Sequence, residues 1–268
     1  MSMESTQITS LQNPRIKNVV KLNKRSVRDE QGVLLVEGYR ELRRALENGW
    51  KPVELFYCRD LFLGGNENAL IEQGRAAGAE IYDCSEPVLR KISYRDRPEG
   101  LVAVGPQVRH KLGDIVFRAV PFVVVAESIE KPGNLGTILR SADAAGVDAL
   151  IVCDRCTDIS NPNVVRASIG TLFSVKVVEA STEEAMAWLR ERKIRTVAAS
   201  PHAEQMYTDA DFTTGVAVVV GSEQYGLSGR WMTEADVKVR IPMLGQADSL
   251  NVASATTILL YEVVRQRS

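Results

Sequence analysis

Short apolar runs alternate along the chain with polar stretches in which apolar residues recur at helical spacing, so strands and helices are predicted to alternate. In the first part, V-L-L-V-E-G (33–38) and V-E-L-F-Y-C (53–58) read as strands, with others near Ile81 and at G-L-V-A-V (100–104). Helices are predicted over 39–48, stopped by Gly49, and over 67–77 and 86–91. Residues 13–28 read as one basic helix with Ile16, Val19 and Val20 as its apolar stripe. Further on, P-F-V-V-V-A (121–126) reads as a strand buried on both faces. A helix over 134–146, a strand at 149–153, helices at 164–170 and 182–193, and strands at 195–199, 215–221 and 237–241 follow, before a long helix over 249–266. Strands alternating with helices imply a parallel sheet covered on both faces. The stretch after Val104 is polar and holds Pro106 and Gly113. The expected organisation is therefore an α/β fold of two domains, residues 1–106 and 119–268, joined by a linker over 107–118. A cut after Val104 is expected to leave a folded second domain.

Composition changes this picture little: 45% of residues are apolar and 25% charged, ordinary for a globular protein. No apolar run reaches the roughly 18 residues that suggest a membrane span. Met1 to Gln12 is polar and lacks the apolar stretch of a signal peptide, so a cytoplasmic protein is expected. Charge is more informative. The net charge is −1, but Arg15, Lys17, Lys21, Lys24, Arg25 and Arg28 are preceded by Glu4 as the sole acid. From residue 119 onward there are 14 Lys and Arg against 18 Asp and Glu. A basic segment on an otherwise acidic chain suits an RNA-contacting arm, with a solvated helix face as the alternative. Of the four cysteines, Cys153 and Cys156 form a C-x-x-C, yet no second pair or nearby histidine completes a zinc site, and no metal is expected. With His110 and His202 as the only histidines, neither in a catalytic setting, chemistry based on a histidine base is disfavoured.

Three segments put glycine and small polar residues where an apolar strand ends, which is where open parallel sheets bind ligands. They are E-S-I-E-K-P-G-N-L-G-T-I-L-R-S-A-D-A-A-G (127–146), G-S-E-Q-Y-G-L (221–227) and I-P-M-L-G-Q-A-D-S-L-N-V-A-S-A (241–255). In the first, Gly133 and Gly136 would permit a tight turn, Asn134 would cap the helix, and Arg140 lies nearly two turns in. In the third, Ser249 and Asn251 sit beside a helix start. Each segment alone reads equally as a cap or turn; the order and spacing of all three is what is specific. No G-x-G-x-x-G follows the first strand, and G-N-L-G-T lacks the G-K-[ST] ending of a phosphate-binding loop.

Together, N-L-G-T-I-L-R-S-A-D-A-A-G, G-S-E-Q-Y-G-L and I-P-M-L-G-Q-A-D-S-L-N-V-A resemble the three motifs of the SpoU/TrmH family of the knotted SPOUT superfamily. N-P-N-V-V-R-A-S-I-G-T-L-F (161–173) resembles the family between its first two motifs. The resemblance covers about residues 120–266, while 1–104 look like the family's ribosomal-protein-like substrate-binding domain. Glu130-Lys131 and Ala253-Ser254 depart from the commoner family residues. The resemblance implies a deep trefoil knot, a homodimer, S-adenosylmethionine as cofactor, and methylation of a ribose 2′-hydroxyl in RNA. Ribosomal RNA is the expected substrate, with transfer RNA, or an RNA-binding protein that has lost catalysis, as alternatives.

Carried over residue by residue, the catalytic candidates are Arg140, Asn134, Glu223, Ser249 and Asn251. The cofactor candidates are Gly221, Ser222, Glu223, Ile241, Met243, Leu244, Ser249 and Leu250. The RNA candidates are Arg15, Lys17, Lys21, Lys24, Arg25 and Arg166. The family's motif-one arginine acts on the hydroxyl. Because arginine stays protonated, Arg140 is expected to position the hydroxyl and lower its pKa electrostatically rather than act as a literal base. Asn134, Glu223, Ser249 and Asn251 would orient it.

Overall fold

The computed structural model describes residues 6–268, so Glu4 lies outside the described residues. The chain forms two compact units, residues up to 108 with 158–174, and 109–157 with 175–268.

The first unit is a mixed sheet with helices. In chain order it contains β1 (Thr6–Ile8), α1 (Pro14–Lys21), α2 (Arg25–Gln31), β2 (Val33–Glu37), α3 (Tyr39–Glu47), β3 (Glu54–Tyr57), α4 (Glu67–Ala76), β4 (Glu80–Cys84), α5 (Glu86–Ile92) and β5 (Leu101–Pro106). The strand order is β1-β4-β3-β5-β2. Strand β4 runs parallel to β1 and β3, and β5 runs antiparallel to β2 and β3. Ile16, Val19, Leu22, Phe56, Val88 and Leu89 close one core. The single basic helix expected over 13–28 is two helices. The first begins at Asn13, whose side chain accepts the Arg15 N–H, and ends at Leu22; the second begins after Lys24. Leu22 is wholly buried, which fixes the break.

The second unit contains β6 (Phe122–Glu127), α6 (Pro132–Ala145), β7 (Ala149–Cys153), β8 (Lys176–Ala180), α8 (Thr182–Glu191), β9 (Arg195–Ala199), β10 (Gln205–Met206), β11 (Val216–Val220), α9 (Gly229–Glu234), β12 (Val237–Arg240) and α10 (Val252–Arg267). Its seven strands are all parallel, in the order β10-β12-β9-β11-β6-β7-β8. Val123, Val125, Ile151, Val178, Val219 and Trp231 form its core on one side. Strands β1, β8 and β10 and helix α9 were not among the predicted elements. Helix α6 starts at Pro132, where proline's missing N–H costs nothing, and ends on Gly146 at φ 71°.

The segment 158–174, which includes α7 (Pro162–Ala167), falls between strands of the second unit in sequence yet packs within the first. Asp158 pairs at 2.5 Å with Arg28, and the side chains are 6% and 1% exposed. Arg28 also donates to the Leu22 carbonyl at 2.6 Å. Trp50 meets the Phe173 ring at 5.2 Å between centroids. Arg28, counted among the basic residues of a solvent-facing arm, is thus a buried ion-pair partner. A buried charge that loses its partner is strongly destabilising, by about 3–5 kcal/mol. Deleting residues 1–104 is therefore expected to strand Asp158 and the apolar face of α7. Size-exclusion chromatography should show aggregation of the fragment, contrary to the separable second domain expected above.

Candidate functional site

The carboxyl ends of β9, β11, β12 and β6 lie side by side, with Val220 opposite Ala126 and Val239 opposite Ala199. At this edge a cavity of about 450 Å³ opens, lined by the loop after β9, the 220–227 loop, and residues between β12 and α10. That volume is in the range of small-molecule sites.

The 221–227 loop folds back on itself. The Ser222 N–H donates to the Gly226 carbonyl and the Gly226 N–H to the Ser222 carbonyl, each at 3.0 Å. Ser222 Oγ accepts the Tyr225 N–H at 3.0 Å, and Gly226 holds φ 70°. A Cβ on Gly221 would fall 2.2 Å from the Gly226 carbonyl carbon and 2.4 Å from the Leu227 nitrogen. The position therefore requires glycine because the loop's own backbone passes against it.

Three residues far apart in sequence meet beside this loop. Asn134 donates through Nδ2 to Glu223 Oε1, and Asn251 Nδ2 donates to Asn134 Oδ1 at 3.1 Å. Asn251 is also the N-cap of α10, its Oδ1 accepting the Ala253 N–H at 3.0 Å. Glu223 Oε2 is buried without a partner among the described residues, an acceptor left for a donor from outside the cluster. Asn134 does not cap its helix. Lys131 is the N-cap, and Gly133 and Gly136 lie inside α6 rather than in a preceding turn.

Gly221, Ser222, Glu223, Ile241, Met243, Ser249 and Leu250 all line the cavity. Leu244 does not; it is 96% exposed. Arg140 lies on α6, exposed, and makes no hydrogen bond or ion pair among the described residues. It lies six residues beyond Asn134, about 9 Å along the helix axis. It is outside the cavity wall, so within one chain it does not join the network expected to orient it. Ser200, His202, Tyr225 and Met232 also line the cavity and were not predicted. The position of S-P-H directly after the apolar R-T-V-A-A strand was the available signal. Of the C-x-x-C pair, burial pushes the Cys153 thiol up to about 12, while Cys156 is exposed.

Among the RNA candidates, Lys17, Lys21 and Lys24 are exposed. Arg15 is held by Glu54 at 2.5 Å and Glu80 at 3.1 Å, and Arg25 pairs with Asp29 at 3.4 Å. Arg166, in the first unit, is exposed and donates to Asn163 Oδ1 at 2.7 Å.

Changing Asn251 separates its two roles. Asn251→Ala removes a cap worth about 1 kcal/mol and should lower the melting temperature by roughly 2–4 °C. Asn251→Asp keeps the cap oxygen but loses the donor to Asn134, so stability should be retained while turnover falls about tenfold. Calorimetry and initial rates on both variants check this.

A ligand cavity at the carboxyl edge of an all-parallel sheet, joined to a polar cluster through Glu223, defines an α/β enzyme domain of the cofactor-binding kind. Residues 121–261 match the SpoU rRNA methylase family, and residues 13–103 match the MRM3-like substrate binding domain. The chain belongs to the SpoU rRNA methylase family and is an RNA methyltransferase. It is 36% identical to a 23S rRNA (uridine(2479)-2′-O)-methyltransferase of Streptomyces viridochromogenes, over 92% of this chain and 87% of that one. It is 26% identical to the 23S rRNA (guanosine(2553)-2′-O)-methyltransferase of Bacillus subtilis, over 96% and 98%. The AdoMet-bound rRNA methyltransferase of Sinorhizobium meliloti superposes with a TM-score of 0.89 at 33% identity, covering 97% and 98%.

Proposed function

We propose that this enzyme transfers a methyl group from S-adenosylmethionine to a ribose 2′-hydroxyl of ribosomal RNA. The observation that carries the reading is the Asn134–Glu223–Asn251 cluster, which joins all three motifs and shares Glu223 with the cavity. The cavity suits the cofactor: it is large enough, it combines apolar walls with backbone polar groups, and Gly221 keeps its loop in shape. Backbone groups of the 221–227 loop would read polar edges, and Ile241, Met243 and Leu250 would cover apolar ones. When bound, the cofactor supplies a methyl group already activated on a sulfonium. What is left to the protein is to align the hydroxyl and ease loss of its proton.

Arg140 is the residue for that task. Its guanidinium would hold the 2′-oxygen and an adjacent phosphate, stabilising the negative charge that grows as the proton leaves for solvent. Because Arg140 is unpaired among the described residues and outside its own chain's cavity, we assign it to the cavity of a second copy in a homodimer. Much of α10 is already buried against α6, but Tyr261 stays 49% exposed and Ile258 half-exposed, leaving apolar surface for a two-fold contact. Light scattering should give the dimer mass at micromolar concentration; a monomer would exclude action between copies. The family's trefoil knot in the second unit and residence in the cytoplasm belong to the same reading. No helix of the described residues is long and apolar enough to cross a membrane.

The first unit is the substrate domain in this account, with Lys17, Lys21 and Lys24 adding general attraction for phosphate and Arg166 a specific contact. The relatives named above act on uridine and on guanosine, so the fold does not prescribe the base. The test is labelling of total RNA with methyl-labelled cofactor and purified protein. Label in the 23S fraction supports ribosomal RNA; label confined to transfer RNA would overturn that choice.

A further inference from the structure

The first unit contains a cleft of about 1020 Å³. It lies between the start of α3, the 63–67 turn, the 94–99 loop and α7, within the one unit. Its lining pairs Arg95 with Glu41 and Glu99 and leaves Arg40, Arg97 and Arg166 against Glu67 and Asp96, so its unpaired cations among the described residues are guanidinium groups, unlike those of the basic α1–α2 stretch. Arg40 and Arg97 are exposed and make no hydrogen bond or ion pair among the described residues. Arg166 donates only to the neutral Asn163 side chain. In the α1–α2 stretch Arg15 and Arg25 are ion-paired and Arg28 is buried, so its unpaired cations among the described residues are the exposed lysines Lys17, Lys21 and Lys24. Unpaired cations of either kind can exchange a counterion for a phosphate, and a guanidinium does so with a planar fork that grips two oxygens at once.

The cleft is also built rather than incidental. The loop that carries Tyr94 and Arg97 is pinned from beneath by buried carboxylates. Glu37 Oε2 accepts the Tyr94 N–H at 2.7 Å and the Arg95 N–H at 3.2 Å. Arg95 is clamped between Glu41 at 2.7 Å and Glu99. Desolvation holds the Glu37 and Glu41 carboxyls above the ordinary carboxylate range, against the opposing pull of Arg95 and the backbone donors. Burial of this kind is costly, and here it fixes a loop whose outward residues have no structural partner. Tyr94 is 45% exposed on that loop. Exposed aromatic rings among free guanidinium groups are the elements with which proteins hold unpaired nucleotides: bases stack on the ring while the cations track the backbone.

We infer that this cleft is the main grip of the protein on single-stranded RNA, with Tyr94 as a stacking platform and Arg40, Arg97 and Arg166 as phosphate contacts. The assignment rests on the RNA-methyltransferase reading and adds where, and in what form, the RNA is held: an unpaired segment, in preference to a duplex. The cations of α1 are secondary in this arrangement.

The experiment uses the full-length protein and a fluorescein-labelled single-stranded 12-mer RNA of mixed sequence, followed by anisotropy at several salt concentrations. The same 12-mer as a duplex is the comparison. Arg40→Gln with Arg97→Gln should weaken single-strand binding by about tenfold or more. The same pair should reduce the slope of log affinity against log salt by about 1.4, which is about 0.7 per phosphate. Tyr94→Ala should cost on the order of tenfold and Tyr94→Phe little, since phenylalanine keeps the stacking face. Lys17→Gln with Lys21→Gln should cost less than the cleft pair. The assignment is overturned if the cleft variants bind as wild type does, if the α1 pair loses more, or if duplex binds better than single strand. Methyl transfer to RNA by the same wild-type preparation keeps the two questions apart. Transfer together with unaffected cleft variants removes only the cleft; absence of any transfer removes the underlying reading.

Discussion

Arg140→Ala is expected to lower turnover by about two to three orders of magnitude while leaving cofactor affinity nearly unchanged. The size is that of losing one preorganised charged donor in the transition state, roughly 3–4 kcal/mol. The structure removes the competing explanation. Had Arg140 been paired with Asp143 along α6, its loss would have lowered stability and left turnover per folded molecule intact. Arg140 makes no ion pair among the described residues and is exposed, so the variant should melt close to wild type. Arg140→Lys should rescue little, because a point charge cannot hold hydroxyl and phosphate together as a planar fork can. Action between copies adds a sharper consequence. Mixed dimers of an Arg140→Ala chain and a Gly221→Ala chain should regain up to about half of wild-type activity per site pair, since one cavity would have both an intact loop and an arginine. No activity from the mixture would mean that each arginine serves its own chain.

The second large effect is at Gly221. Gly221→Ala puts a Cβ 2.2 Å from the Gly226 carbonyl carbon and 2.3 Å from its oxygen, both backbone atoms that no rotamer change can move. The strand-like pair between Ser222 and Gly226 must open, and with it the cavity wall and the position of Glu223. Overpacking of this kind costs about 1–3 kcal/mol, so cofactor affinity should fall roughly tenfold to a hundredfold in a titration by calorimetry. Gly226→Ala is the control within the same loop. Its Cβ would meet nothing within 4 Å, and only the φ of 70° opposes it, so a milder loss, about 1 kcal/mol, is expected. Equal effects at the two positions would contradict the close-approach argument.

The fold class and the segments that line the candidate cavity were legible because they depend on local signals. Apolar runs such as 121–126 and 215–221 mark strands of the parallel sheet, and the glycine-bounded segments after them mark its carboxyl edge. Asn134, Glu223 and Asn251 could be named from three separate motifs and do meet, across 89 and 117 residues of chain. What was hidden depends on partners. The pattern of Val164, Val165 and Leu172 says that 158–174 is buried, but not that it packs with the first unit. Arg28 looks like any other cation of a basic stretch until Asp158 is found beside it. The strand order, in which β9 comes to lie between β12 and β11, follows from crossovers that periodicity does not encode. Leu244 follows Met243, which lines the cavity, yet faces solvent in the single chain. Proline's preference for the first helical position marks the start of α6 at Pro132, whereas Asn134, a good capping residue by type, lies inside the helix.

The central claim is the chemistry, and nucleoside analysis tests it most directly. Unmodified 23S ribosomal RNA transcribed in vitro is incubated with the protein and methyl-labelled S-adenosylmethionine, digested to nucleosides, and separated by mass spectrometry. The account predicts label in a 2′-O-methylated nucleoside, on its ribose fragment, one alkali-resistant linkage when the intact RNA is hydrolysed in parallel, and loss of both with Arg140→Ala. Label on the base, or no label with a protein that binds the cofactor, would contradict it.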